Sequence, residues 1–176
     1  MTTPASTRHL VLVGLMGAGK STVGAVCATR LGRPFVDTDH AVESAAGRSV
    51  REIFDADGED AFRALERAAV RTAATDPEPA VIACGGGVAV DPENRALLRD
   101  HGFVVWLDAP VTELAERAAR APGARPLLAT GDPVATLDRL AAARRDAYAE
   151  IAHTRVETDG RSVDTVADLV LEAFGA

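Results

Sequence analysis

Apolar residues follow two alternating patterns along the chain. β-Strands are predicted over residues 9–13, 34–37, 80–84, 103–107 and 154–157, and the short apolar run at residues 9–13 is typical of a strand buried on both faces. Between them apolar residues recur every three or four positions, which predicts helices over residues 20–31, 39–45, 49–55, 59–75, 92–100, 111–120, 133–151 and 163–174. This alternation predicts an α/β fold of three layers, in which helices cover both faces of a parallel sheet and ligands bind at the carboxyl ends of the strands.

Size and charge narrow the possible classes of protein. The 176 residues predict a single domain over residues 1–176, and a hydrophobic fraction of 47% is enough for one sizeable core. The net charge of −7 argues against nucleic acid or an anionic membrane surface as a partner. No apolar stretch reaches the ~18 residues that a membrane-spanning helix needs. We expect a cytoplasmic monomer in which Cys27 and Cys84 are reduced core residues.

Lys20 is the only lysine in the chain, and it lies in the octapeptide GLMGAGKS at residues 14–21. The octapeptide fits the pattern G-x-x-x-x-G-K-[ST] and stands between a predicted strand and a predicted helix. Backbone N–H groups and the helix N-terminus would surround phosphate oxygens there, the ammonium suits the β- and γ-phosphates, and the Ser21 hydroxyl would bind Mg²⁺. We therefore predict a purine nucleoside triphosphate site formed by Gly17, Ala18, Gly19, Lys20, Ser21 and Thr22.

Two carboxylates follow the second predicted strand, in the tripeptide Asp37-Thr38-Asp39. Near a triphosphate loop, one carboxylate would bind Mg²⁺ directly or through water, and the other would orient an acceptor hydroxyl and take its proton. The alternative is that Asp39 is only the N-cap of the helix that follows.

Glycines and arginines supply further candidates for binding. Gly85, Gly86 and Gly87 follow the third predicted strand and leave backbone N–H groups open to a ligand. Arg125 lies in a Gly- and Pro-rich segment at residues 121–132, where a hinged arginine would close over a phosphoryl group. Arg63 has a simpler alternative, because it could pair with acidic residues one helical turn away on either side, Glu59 or Glu66.

Together these pieces resemble the shikimate kinase family, from about His9 to the C-terminal helix. Beyond the phosphate loop, the Asp-Thr-Asp unit and the triple glycine, the resemblance rests on shorter motifs. These are Gly47-Arg48-Ser49 with Ile53-Phe54, Asp57-Gly58-Glu59, Phe62-Arg63-x-x-Glu66, Arg125-Pro126-Leu127-Leu128 and Arg144-x-x-x-Tyr148.

The resemblance implies a P-loop kinase fold of the nucleoside-monophosphate-kinase type, with a five-stranded parallel sheet in the order 2-3-1-4-5. It implies a substrate-binding subregion at about residues 38–75 and a lid at about residues 120–133. The implied reaction transfers the γ-phosphoryl group of ATP to the 3-hydroxyl of shikimate, with Mg²⁺ as cofactor, in the biosynthesis of chorismate and the aromatic amino acids.

The resemblance also implies roles for single residues. The implied catalytic residues are Lys20, Asp39 and Arg125, and the metal ligands are Ser21 and Asp37. Shikimate would be bound by Asp39, Arg63, Gly85, Gly86, Gly87 and Arg144. Beyond the phosphate loop, ATP would be bound by Arg117, Arg125 and Arg161. Two positions stay open, because Arg120 is an alternative to Arg117 and Arg145 is an alternative to Arg144.

Two other functions are compatible with a phosphate loop. One is a related small-molecule kinase that acts on gluconate or a nucleotide, which the fold alone would not exclude. The other is a nucleotide-dependent regulatory binder. A guanine-reading Asn-Lys-x-Asp motif is impossible in this chain, because its single lysine is already in the phosphate loop.

Overall fold

The computed structural model describes residues 7–120 and 131–176. Within these residues five parallel strands form one sheet in the order β2-β3-β1-β4-β5, which confirms the expected topology. The strands are β1 (His9–Val13), β2 (Phe35–Asp37), β3 (Val81–Ala83), β4 (Gly102–Asp108) and β5 (Thr154–Glu157). Every residue of the central strand β1 is buried, as its uninterrupted apolar run predicts.

The helices cover both faces of the sheet and lie within a few residues of the predicted positions. They are α1 (Lys20–Leu31), α2 (Thr38–Ala46), α3 (Val50–Ala74), α4 (Pro92–His101), α5 (Val111–Arg120), α6 (Pro133–Ile151) and α7 (Val163–Phe174). Helix α1 packs against α7, while α4 packs against α3 and α6. A short 3-10 helix (Val88–Val90) follows the triple glycine.

The two helices predicted over residues 49–55 and 59–75 form the single segment α3, which is kinked at Gly58. Its N-terminus carries a reciprocal capping box between Ser49 and Glu52. Gly58 has φ 85° and ψ 176°, a conformation that is essentially restricted to glycine. The kink therefore lies where the sequence places its one glycine in this segment.

The apolar side chains form two clusters of unequal size. The larger one contains the strands and the helices packed on them, including both cysteines, which are free and buried as predicted. The smaller one holds α2 to α3 through Val42, Ile53 and Phe62. The end of α3, from Val70 to Ala74, belongs to the larger cluster instead. None of the helices in residues 7–120 and 131–176 is long and apolar enough to cross a membrane.

Candidate active site

A cavity of about 590 Å³ opens at the carboxyl ends of the central strands. The phosphate loop forms one wall, and α2 with both halves of α3 forms another. The glycine turn after β3 and side chains from α5, α6 and α7 complete the lining. The cavity thus joins two regions that the sequence predicted separately, the triphosphate site and the residues expected to bind an acceptor.

Close backbone packing fixes the phosphate loop in this wall. Gly17 and Gly19 have φ values of 84° and 91°, which favour glycine. A Cβ atom at Gly14 would lie 2.2 Å from the carbonyl oxygen of Leu107. Lys20 is buried, and its Nζ donates to the carbonyl oxygens of Gly14 at 2.8 Å and Leu15 at 2.9 Å. The ammonium is therefore already held at the start of α1, where the helix N-terminus also favours an anion.

Ser21 and Asp37, the predicted metal ligands, lie next to each other in the cavity. The Ser21 hydroxyl donates to Asp37 Oδ2 at 2.5 Å. The other carboxylate oxygen of Asp37 accepts from the backbone N–H groups of Asp39 and His40 at 3.0 and 3.2 Å. A hydroxyl and an adjacent carboxylate oxygen are the donor set that Mg²⁺ accepts when it keeps several waters. These two side chains therefore fit the expected cofactor.

The alternative reading of Asp39 as the helix cap is wrong. Asp37 is the N-cap of α2, and the Asp39 side chain is left to face the cavity. Burial raises the pKa of Asp39 to about 6, and the negative charges of Asp37 and Glu66 add to the shift. A carboxylate with a pKa this close to neutrality is suited to accept a proton from a hydroxyl.

Arg63 lies on α3 and forms ion pairs with two carboxylates. Its guanidinium forms ion pairs with Glu66 at 2.7 Å and with Glu59 at 3.1 Å. The sequence offered these two acids as alternative partners of Arg63, and both pair with it. Its side chain is only 16% exposed and still lines the cavity. Gly87 makes room for it, since a Cβ atom there would lie 2.4 Å from Arg63 Nη1. These ion pairs orient the arginine toward the cavity.

Arg144 comes from the opposite side, on α6. It is buried, lines the cavity and donates from Nη1 to the carbonyl oxygen of Gly86 at 2.9 Å. Its neighbour Arg145 is exposed and does not line the cavity. The geometry therefore favours Arg144 over Arg145. Arg63 and Arg144 together place two guanidinium groups around one end of the cavity.

The glycine turn contacts both arginines, but its three members differ. Gly86 and Gly87 line the cavity, whereas Gly85 is buried behind Asp39. Its N–H donates to Thr38 Oγ1 at 3.0 Å, and a Cβ atom there would lie 2.6 Å from Asp39 Oδ1. Gly85 therefore gives Asp39 the space it occupies, and no ligand contact is needed to explain it.

The end of the cavity where we expect the nucleoside is formed by α5, by the N-terminal part of α7 and by the turn before α7. Arg117 bonds Glu113 and donates to Thr158 Oγ1 at 2.8 Å and to the Thr158 carbonyl oxygen at 2.9 Å. Arg120 is exposed and pairs with Glu116 outside the cavity, so the geometry favours Arg117. Arg161 lines the same end. Arg125, like most of the expected lid, lies outside the described residues.

Glu66 and Tyr148 appear in the motifs of the sequence analysis, but neither was assigned a role in the site. Glu66 is 1% exposed, and its Oε1 has no hydrogen-bond partner within the described part of the chain. Tyr148 is buried and donates to the carbonyl oxygen of Gly86. Helical spacing gives a signal for both, because Glu66 follows Arg63 by three residues and Tyr148 follows Arg144 by four.

Known proteins resemble this chain over nearly its whole length. A family model described as shikimate kinase matches residues 16–174. A shikimate kinase from Symbiobacterium thermophilum is 53% identical over 93% of this chain and 94% of its own length. A structure of shikimate kinase from Acinetobacter baumannii in complex with shikimate superposes with a TM-score of 0.91 at 36% identity, covering 96% of this chain and 93% of that one.

A gluconokinase from Sinorhizobium meliloti shares the fold more distantly, with a TM-score of 0.65 and 22% identity over 96% of this chain and 92% of its own. That likeness concerns the fold alone. The family match covers residues 16–21 of the phosphate loop, the Asp-Thr-Asp unit, the glycine turn, Arg63 and Arg144. The chain belongs to the shikimate kinase family.

Proposed function

We propose that the protein transfers the γ-phosphoryl group of Mg-ATP to the 3-hydroxyl of shikimate, giving shikimate 3-phosphate and ADP. One observation carries the proposal: a single cavity holds a phosphate loop at one end and, at the other, two arginines facing a carboxylate of raised pKa. An acceptor for this cavity should carry a carboxylate for the arginines and a hydroxyl for Asp39. Shikimate, a small triol carboxylate, has both.

The donor end would bind ATP through the phosphate loop. Residues 17–22 offer backbone N–H groups and the α1 N-terminus to the phosphates, and Lys20 would exchange its carbonyl partners for phosphate oxygens. Ser21 and Asp37 would hold Mg²⁺, which when bound neutralises charge on the β- and γ-phosphates. Arg117, fixed by Glu113 and Thr158, and Arg161 would contact the nucleoside, and Arg125 would contact the transferring phosphate.

The acceptor end would bind shikimate through its carboxylate and its hydroxyls. Arg63 and Arg144 would hold the carboxylate, for which planar guanidinium groups offer paired hydrogen bonds. Asp39 and the open backbone of Gly86 and Gly87 would hold the hydroxyls. Because Glu59 and Glu66 already orient Arg63, the clamp is formed before the acceptor arrives, which lowers the entropy cost of binding.

The transfer itself follows from this placement. The 3-hydroxyl oxygen forms a bond to the γ-phosphorus while the bond to the β,γ-bridging oxygen breaks, and ADP leaves with the electrons of that bond. Asp39 accepts the hydroxyl proton. Positioning of the two reactants and stabilisation of charge by Lys20 account for most of the expected acceleration, because phosphoryl transfer demands little covalent chemistry from the protein.

The proposal is tested by coupled ADP release from the purified protein with Mg-ATP and one acceptor at a time. The acceptors are shikimate, gluconate and a nucleoside monophosphate, and ³¹P NMR identifies the phosphorylated product. We expect turnover with shikimate only. Turnover with gluconate or the nucleotide but not with shikimate would refute the assignment while retaining a kinase of the same fold.

A further inference from the structure

Tyr148 lies directly behind the acceptor end of the cavity without lining it. It is 1% exposed, and its ring packs against Trp106 with 5.7 Å between the ring centroids. It follows Arg144 by one turn of α6, so the two side chains lie on the same face of the helix. This buried phenol has no part in the transfer derived above.

Two side-chain donors meet at one backbone carbonyl oxygen at this position. The Tyr148 hydroxyl and Arg144 Nη1 both donate to the carbonyl oxygen of Gly86. Burial raises the pKa of Tyr148 to about 12, so the hydroxyl keeps its proton and remains a donor at any pH where the protein works. Both donors are thus available to the Gly86 carbonyl at any such pH.

We propose that Tyr148 is a positioning residue for the acceptor: its hydroxyl fixes the Gly86 carbonyl and the Arg144 guanidinium in the orientation that receives the acceptor's carboxylate. This inference rests on the proposed function. Without the hydroxyl, the carbonyl keeps one donor and is held less firmly, so the guanidinium that bonds it is also held less firmly. The arginine then samples further rotamers, and each acceptor molecule that binds must order it again.

Tyr148→Phe removes the hydroxyl and keeps the ring packed on Trp106. We expect the KM for shikimate to rise roughly five- to tenfold, the effect of losing one hydrogen bond in a buried network. The KM for ATP and kcat should stay within about twofold, because the donor end is untouched. An unchanged KM for shikimate, or equal increases in both KM values, would overturn the proposal.

A double-mutant cycle tests whether Tyr148 acts through Arg144. In an Arg144→Met background, Tyr148→Phe should lower kcat/KM for shikimate by less than about twofold, since the group it positions is gone. A full five- to tenfold loss in that background would contradict the proposed route.

His9→Leu is the control for a general loss of stability in the fold. His9 is buried at the opposite end of β1 and bonds Ala80 and Asp76, so its loss should lower stability without raising the KM for shikimate.

A crystal structure of ligand-free Tyr148→Phe separates this inference from the proposed function. We expect Arg144 to leave the Gly86 carbonyl or to occupy more than one rotamer, whatever the acceptor is. An Arg144 that keeps its bond to Gly86 in a single conformation would overturn the positioning role. Failure of the wild-type protein to phosphorylate shikimate would instead refute the proposed function, and the rotamer result would stand independently.

Discussion

At the scale of single residues, Asp39 carries a cost in stability that its proposed role explains. Its pKa is raised from the ordinary value near 4 to about 6, so the folded protein holds the proton more tightly than the unfolded chain does. The carboxyl group therefore favours folding below pH 4, and this advantage is lost as the pH rises through 6. At neutral pH Asp39 is ionised although its surroundings favour the protonated form, and this lowers the stability of the fold.

Asp39→Asn should therefore abolish transfer and stabilise the fold. We expect the free energy of unfolding at pH 7.5 to rise by about 1–2 kcal/mol, less than the full pKa shift implies because the group is partly solvated. The gain should fall to about half near pH 5 and disappear only below pH 4, where the unfolded chain also holds the proton. Urea unfolding at pH 7.5 and pH 5 measures it, with Asp138→Asn at an exposed position of α6 as the control. A gain of equal size at both pH values would contradict this account.

Arg63 offers a second test at this scale. Arg63→Met removes one guanidinium of the proposed clamp, and we expect the KM for shikimate to rise about 10- to 100-fold, as for the loss of charge-assisted hydrogen bonds. The KM for ATP should change little. Arg67→Met is a matched control, because Arg67 lies one turn further along α3 and pairs with Asp91 at 3.1 Å. Comparable effects of the two variants would contradict the clamp.

The roles of single residues were only partly predictable from the sequence. The phosphate loop is a continuous segment whose spacing already encodes its chemistry, so Lys20 and Ser21 could be identified directly. Asp37 and Asp39 are two residues apart at a helix start, and only the folded backbone distinguishes the cap from the side chain left facing the cavity. The partners of Tyr148 and Arg144 lie about 60 positions earlier in the chain, beyond the reach of any local pattern.

At the scale of elements, the apolar pattern and the strand–helix alternation were sufficient to locate the strands and helices, because the central strands are fully buried and the helices between them pack on the sheet. It was not sufficient to show that residues 49–55 and 59–75 form one segment, since the joint depends on a single backbone conformation. That joint is Gly58. It separates the half of α3 that carries Phe54 from the half that carries Arg63, so it sets how these two cavity side chains face each other.

Asparagine substitutions at Gly58 and Gly32 test whether the backbone conformation of Gly58 constrains the joint in α3. Gly58 and Gly32 both have positive φ, and a Cβ atom would meet nothing within 4 Å at either position. They differ in ψ, because Gly32 is in the left-handed helical region at ψ 36°, which asparagine tolerates. We expect Gly32→Asn to be nearly neutral and Gly58→Asn to cost about 1–3 kcal/mol in urea unfolding. Equal costs would show that the conformation of Gly58 is not the constraint.

At the scale of the whole molecule, the glycine turn connects the donor end of the cavity to the acceptor end. A Cβ atom at Gly86 would lie 3.4 Å from the backbone nitrogen of Met16 in the phosphate loop and 3.6 Å from Arg144 Nη1. A Cβ atom at Gly87 would collide with the guanidinium of Arg63. The turn therefore contacts the phosphate loop and Arg144 through Gly86, and it contacts Arg63 through Gly87.

These distances predict that alanine at Gly87 affects acceptor binding more than alanine at Gly86 does. Gly87→Ala displaces the flexible end of Arg63, so the fold should survive while the KM for shikimate rises at least about tenfold. Gly86→Ala meets only ordinary van der Waals contacts, and we expect both KM values to stay within about threefold of the wild type. Steady-state kinetics and thermal unfolding of the two variants provide the comparison. The reverse order of effects would show that the turn acts through its backbone rather than through the space it leaves.

The contact between Trp106 and Tyr148 has an optical consequence. The chain contains one tryptophan and one tyrosine, and the two rings touch immediately behind the acceptor end of the cavity. Nearly all ultraviolet emission of the protein therefore originates at one place, where Arg155 also lies over the indole ring, 4.9 Å from its centroid. Fluorescence of the unlabelled protein should report events at that wall of the cavity, and excitation of the phenol should be passed to the indole while the wall is intact.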